Sequence, residues 1–230
     1  MLSAIISLIF KKMTYAALRV DRNPKEIKLI AVTKSQPVDK IREAADFGLR
    51  FFGESRVQET KVKIEKIKDF NLEWHMIGHL QTNKVKDAVK LFTLIHSVDS
   101  EKLAITINKE AEKINKIQRV LLQVKLSEET SKFGVEEEKI NELLEICRNL
   151  KNLKVEGLMT IPPYFENPQD VRPYFKRLKQ LRDSFSAMYP SLKELSMGMS
   201  HDFEVAIEEG ATMIRIGTAI FGQRINMEEI

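Results

Sequence analysis

Short runs of β-branched and aromatic residues recur eight times along this chain, with helical periodicity between them. The first run is KLIAVTK at residues 28 to 34, followed by a helical pattern from Val38 to Phe47. The others are LRFFGE (49 to 54), EWHMIG (73 to 78), FTLIHSV (92 to 98), QRVLLQVKL (118 to 126), KVEGLMTI (154 to 161), KELSMG (193 to 198) and TMIRIGT (212 to 218). Strands that alternate with helices pair in parallel, and the helices then cover the sheet with their apolar stripes. Leu103, Ile107, Ala111 and Ile114 form one such stripe, and Tyr174, Leu178, Leu181, Phe185 and Met188 another. Eight units in 230 residues suit a closed α/β architecture, a single (β/α)8 TIM barrel, with a doubly wound open sheet as the rival.

Ahead of the first run, Leu2, Ile5, Ile6, Ile9, Phe10, Met13, Ala17 and Val20 fall at helical spacing, which predicts an additional N-terminal helix packed on the barrel. The segment lacks the basic stretch that opens a signal peptide, and no run approaches the roughly 20 apolar residues of a membrane span. A hydrophobic content of 43% with no shift in composition predicts one domain over residues 1–230. The net charge of +4 is spread over 37 basic and 33 acidic residues, too diffuse for a nucleic-acid surface. One cysteine, Cys147, excludes an internal disulfide and a thiolate metal cluster and fits a reducing cytoplasm. It shares a helical face with Ile140, Leu143, Leu144 and Leu150 and reads as a small core residue.

Strand alternation then says which polar groups enter the barrel. Ile30, Val32 and Lys34 share one face of the first strand, and Leu29, Ala31 and Thr33 the other. A lysine at the C-terminal end of a barrel strand lies at the face that carries active sites, where desolvation favours a neutral, nucleophilic amine. A snorkelling surface lysine is the plain alternative. In the last strand Met213, Arg215 and Gly217 face inward, so the Arg215 guanidinium needs an acceptor, either a structural carboxylate or a ligand atom. Beyond it Gly217 and Thr218 open a short segment whose amides can hold a phosphate, and the loop after the seventh strand brings Ser200 to the same end. Lys34, Ser200, Arg215, Gly217 and Thr218 together ask for a phosphorylated aldehyde.

With these residues in place, AVTK (31 to 34), FGESRVQE (52 to 59), WHMIGHLQTNKVK (74 to 86), HSVDS (96 to 100), SKFGV (131 to 135), GLMTI (157 to 161), LSMGMSHDFEVAIEEGAT (195 to 212) and RIGTAIFGQR (215 to 224) resemble the motifs of one family. It is the YggS/PROSC family of pyridoxal phosphate homeostasis proteins, whose fold is similar to the barrel domain of alanine racemase. The resemblance implies pyridoxal 5′-phosphate as cofactor, Lys34 as the Schiff-base lysine, Ser200, Gly217 and Thr218 in the phosphate cradle, and Arg215 at the pyridine nitrogen. A guanidinium there keeps the ring nitrogen unprotonated, a poorer electron sink. The chain departs from the family pattern at Ser55 and Lys125, where asparagine is usual. His75 and His79 fall in a family motif as ring contacts or structural histidines, Lys132 is a mobile amine or a loop charge, and no ligand set for a metal accompanies them.

Two-base racemisation needs an acid or base on each face of the cofactor, and in alanine racemase the opposing tyrosine comes from a second domain. Here only INMEEI follows Arg224, and Tyr15, Tyr164, Tyr174 and Tyr189 have no evident claim to that position. The expected function is therefore storage, buffering or delivery of the cofactor in the cytoplasm, with no catalytic residue. Apo-enzymes that use it are the expected recipients, and no nucleic acid or membrane is involved. A barrel without sheet edges is expected to be a monomer. A weak amino-acid racemase and a partner-binding module are the alternatives.

Overall fold

The computed structural model describes residues 1–127 and 133–223. Each β-branched run forms a short strand: β1 (Lys28–Val32), β2 (Phe51–Glu54), β3 (Glu73–Met76), β4 (Leu94–Val98), β5 (Gln118–Gln123), β6 (Leu153–Met159), β7 (Glu194–Ser196) and β8 (Met213–Ile216). Every neighbouring pair is parallel, and β1 pairs with both β2 and β8, so the sheet closes into a barrel and the open-sheet rival is excluded. Six strands end two or three residues before their sequence runs do, while β2 and β4 end with theirs. The fifth ends at Gln123, and Val124, whose amide donates to the Met159 carbonyl, forms an isolated bridge to Val135.

Helices α2 (Val38–Asp46), α3 (Val57–Lys66), α4 (Val85–Leu91), α5 (Glu101–Glu112), α6 (Ile140–Arg148), α7 (Arg172–Ser186) and α8 (Phe203–Glu208) follow β1 to β7 in turn. Each buries the stripe that its periodicity marks: Leu103, Ile107 and Ala111 in α5, Leu178 and Leu181 in α7, and Ile140, Leu143, Leu144 and Cys147 in α6. Ile114 and Met188 lie beyond the ends of their helices and are exposed, so those two stripes are shorter than the spacing suggests.

The predicted N-terminal helix is α1 (Leu2–Leu18), and it buries Leu2, Ile6, Ile9, Met13, Ala16 and Ala17. Fully burying an aliphatic side chain is worth about 1.5–3 kcal/mol, so Ile6, Ile9 and Met13 alone anchor it. It packs on α8 and on α9 (Thr218–Phe221), the single turn after β8. Phe10 and Val20, which the spacing places on the packed face, are exposed. Arg22 ties the end of this helix to the barrel, donating to the Ile207 and Ala211 carbonyls at 2.6 and 2.9 Å.

Ile30, Leu94, Leu121, Met159 and Met213, with Phe51 beside them, form an apolar plug inside the barrel. Leu29, Ala31, Ile214 and Ile216 belong instead to the larger core under the helices. The side-chain register read from alternation in β1 and β8 is the observed one. The plug closes the barrel below, so polar side chains further along the strands collect toward the C-terminal mouth.

Candidate functional site

At the mouth, β8 and β1 run side by side, with Ile30 opposite Arg215 and Ala31 opposite Ile216. Gly217 continues this contact. A Cβ added there would meet the Val32 side chain at 3.3 Å, and Lys34 lies two residues beyond Val32. Lys34 is half-buried, in a turn just past the strand rather than at its last residue. The lysine therefore leaves the barrel wall on the strand adjacent to Gly217 and Thr218.

The chain leaving β7 reaches the same place by a sharp bend. Gly198 adopts φ +90°, and a Cβ there would lie 2.4 Å from the Ala206 Cβ, so glycine alone suits the position. The bend delivers Ser200, whose Oγ accepts from the Gly217 and Ala219 amides at 3.3 and 3.2 Å. Amides in a first helical turn lack intrahelical acceptors, so two of them converge on one oxygen at the start of α9. Thr218 is exposed beside them.

Arg215 points into the barrel above the plug and is buried. Its acceptors among the described residues are neutral: Nη1 donates to Ser196 Oγ at 2.6 Å and Nη2 to the Thr160 carbonyl at 2.9 Å. Burial draws its pKa down to about 10, which leaves the guanidinium charged at neutral pH, and the nearby Asp202 carboxylate opposes the shift. The structural carboxylate weighed as its partner is thus present only at a distance. Asp202 hydrogen-bonds the Met199 amide instead.

From Ser196 a polar chain crosses the barrel. His96 Nδ1 lies 2.8 Å from Ser196 Oγ, and His96 Nε2 lies 2.9 Å from His75 Nδ1. Both rings are buried, and burial lowers both pKa values, that of His75 to about 3. Two neutral imidazoles each carry one proton. With Ser196, which accepts from Arg215, donating to His96 Nδ1, His96 donates from Nε2 to His75 Nδ1 and His75 holds its proton on Nε2. That order gives each donor between Arg215 and His75 an acceptor. The His75 Nε2 end is buried without a partner among the described residues.

His79 stands apart at the rim, 3.6 Å from the Asp99 carboxylate and stacked on Phe133 with centroids 3.8 Å apart. Ser55 joins it on the wall of a recess of about 220 Å³ with Arg56, Met76 and Lys84. Lys125 pairs with Glu136 at 3.1 Å. Lys132 lies outside the described residues. No three metal-binding side chains gather among the described residues, and no described helix is long and apolar enough to cross a membrane.

Motif reading singled out His75 but missed His96 and Ser196. Their signal was available: strand alternation puts His75, His96, Ser196 and Arg215 all on the inward face. What alternation cannot supply is that barrel closure joins them end to end.

Comparison with known proteins places the chain in a family. The family described as alanine racemase, N-terminal domain, matches residues 15–225. The pyridoxal phosphate homeostasis protein of Aquifex aeolicus is 51% identical over 220 residues, 95% of this chain and 96% of that one. Its namesake in Escherichia coli is 40% identical over 219 residues, 93% of this chain and 92% of that one. The solved structure of PipY from Synechococcus elongatus with PLP bound superposes with a TM-score of 0.85 at 35% identity, covering 96% of this chain and all of that one. By sequence and fold, the chain belongs to the pyridoxal phosphate homeostasis proteins, within the alanine racemase N-terminal domain family.

Proposed function

We propose that this chain acts as one domain that binds pyridoxal 5′-phosphate, holds it on Lys34 and releases it to apo-enzymes in the cytoplasm. The observation that carries the reading is the meeting of β1, β7 and β8 at one rim, where Lys34, Ser200 and Gly217 come from three strands beside a buried, charged Arg215. The residues fit the group. Converging amides at Gly217 and Ala219 suit an anionic oxygen, a half-buried lysine suits an aldehyde, and a guanidinium that stays protonated suits a ring nitrogen acting only as acceptor. Relatives of the same name and a PLP-bound neighbour support the choice of cofactor.

When bound, the cofactor supplies an aldehyde that condenses with a primary amine and loses water. The protein's own residues do the rest. Ser200, Gly217 and Thr218 would hold the phosphate at the start of α9. Arg215, fixed by Ser196 and Thr160, would donate a hydrogen bond to the ring nitrogen and, staying charged at neutral pH, would not give up a proton to it. An unprotonated ring withdraws electrons poorly, which suits holding over catalysis.

A racemase needs a second acid or base. Tyr189 is tied to Glu145, and Tyr15 is exposed on α1. Tyr164 lies on the loop after β6, tilted against His201, but it is 76% exposed. A closed barrel leaves no strand edge to pair, which favours a monomer. Incubating purified protein with one enantiomer of alanine tests the holder reading. No racemisation is expected, together with timed transfer of the cofactor to an apo-enzyme; robust turnover lost in Lys34→Ala would overturn it.

A further inference from the structure

A charged cluster lies behind the Lys34 turn, between the barrel wall and α3. Glu54, the last residue of β2, is fully buried, and Lys63 of α3 is 6% exposed. The Lys63 ammonium spends its three protons on Glu54 Oε1 at 2.7 Å, Glu59 Oε1 at 2.5 Å and the Thr33 carbonyl at 2.6 Å. Thr33 Oγ1 also donates to Glu54 Oε1 at 2.7 Å, and the Ser35 amide donates to Glu59 Oε1 at 2.7 Å. The cluster thus grips the backbone immediately before and immediately after Lys34. Ser35 adopts φ +60°, a left-handed conformation that a serine holds only when its surroundings enforce it.

Stability alone is a poor reason for such a cluster. Moving charges out of water is expensive, and replacing a buried ion pair with apolar residues of similar volume is often neutral or stabilising. Here the cost is visible. Glu54 Oε2 is buried without a hydrogen-bond partner among the described residues, and burial raises the Glu54 pKa against the pull of Lys63. What the cluster supplies is direction: Lys63 fixes the Thr33 carbonyl, Glu59 fixes the Ser35 amide, and the Lys34 side chain leaves the chain between two pinned peptide units.

We propose that Glu54, Glu59 and Lys63 are positioning residues that set the Lys34 turn for covalent capture of the cofactor's aldehyde. The proposal rests on the reading of Lys34 given above. It assigns a role to the two glutamates of the FGESRVQE motif, Glu54 and Glu59, which act through the backbone on either side of the lysine.

Glu59 is the residue to vary, because its partly exposed side chain can be changed with less risk to folding. Two ligands separate positioning from binding: pyridoxal 5′-phosphate, and pyridoxine 5′-phosphate, which has an alcohol in place of the aldehyde and cannot be captured. In Glu59→Ala, borohydride-fixed cofactor on the Lys34 peptide should fall about tenfold at subsaturating ligand, the loss expected for one charge-assisted hydrogen bond. Affinity for the alcohol should stay within about twofold of the parent, and Glu59→Gln, which still offers Ser35 an acceptor, should recover most of the capture. Equal loss for both ligands, or undiminished capture in Glu59→Ala, would overturn the positioning role while leaving Lys34 as the cofactor lysine. A parent protein that fixes no cofactor on Lys34 would instead overturn the cofactor reading, and this inference with it.

Discussion

Acidification from pH 7 to pH 5 should destabilise the barrel by about 2 kcal/mol through His75 alone. The ring is buried and its pKa is held at about 3, because burial penalises the imidazolium, with repulsion from Arg119 and Lys28 adding to it. In the unfolded chain the same ring titrates near 6.5. Between these values the unfolded state binds a proton that the folded state refuses, so stability is present above the unfolded pKa and is lost as the pH falls. Each pH unit below the unfolded value costs about 1.4 kcal/mol, and one and a half units give the figure above. His96 is displaced in the same direction by burial and by its neighbour His75, which steepens the slope. The raised pKa of Glu54 acts in the opposite sense, since a carboxyl that prefers its proton in the fold favours the native state as the pH falls. Comparison with a variant therefore isolates the ring. In His75→Asn the amide can meet His96 Nε2 from the Nδ1 position without titrating. Urea unfolding of both proteins at pH 7, 6 and 5 should show the variant losing about 2 kcal/mol less over the range. Equal losses would refute the assignment of a neutral, buried His75.

Other residues give separate outcomes. Thr218→Ala should release the cofactor about tenfold more readily in equilibrium dialysis, with its absorbance unchanged. Arg215→Gln should shift the absorbance more than the amount bound, and equal effects in the two variants would count against separate roles at phosphate and ring. Gly198→Ala should lower stability by about 2 kcal/mol or more in denaturant titration, because it combines a left-handed backbone with a Cβ pressed on Ala206. Cys147, whose thiol pKa is pushed up to about 12 by burial, should react with a thiol reagent only as fast as the protein unfolds.

The parts of this molecule legible in sequence are those governed by short periods. A period of two put Lys34 and Arg215 on the inward face, and the structure keeps Ile30 and Met213 on that face below them. Helical spacing found α1 and the stripe carrying Cys147. It failed at Phe10 and Val20, because apolar spacing marks a possible face and only the neighbours α8 and α9 decide how much of it is covered. The polar chain from Arg215 through Ser196 and His96 to His75 was not legible as a unit. Ser196 and His96 are 100 residues apart and meet only because eight strands close on themselves. Glu54 and Lys63 escaped for a related reason: both read as ordinary charges until α3 folds back over the ends of β1 and β2.

The central claim is that one amine, on the strand beside the final glycine, captures the cofactor. Borohydride reduction of the cofactor-loaded protein followed by peptide mass analysis tests it directly. The account predicts a single modified peptide carrying the added mass on Lys34, absent from Lys34→Ala. Modification centred on Lys63, Lys125 or any other lysine, with Lys34 unlabelled, would contradict it.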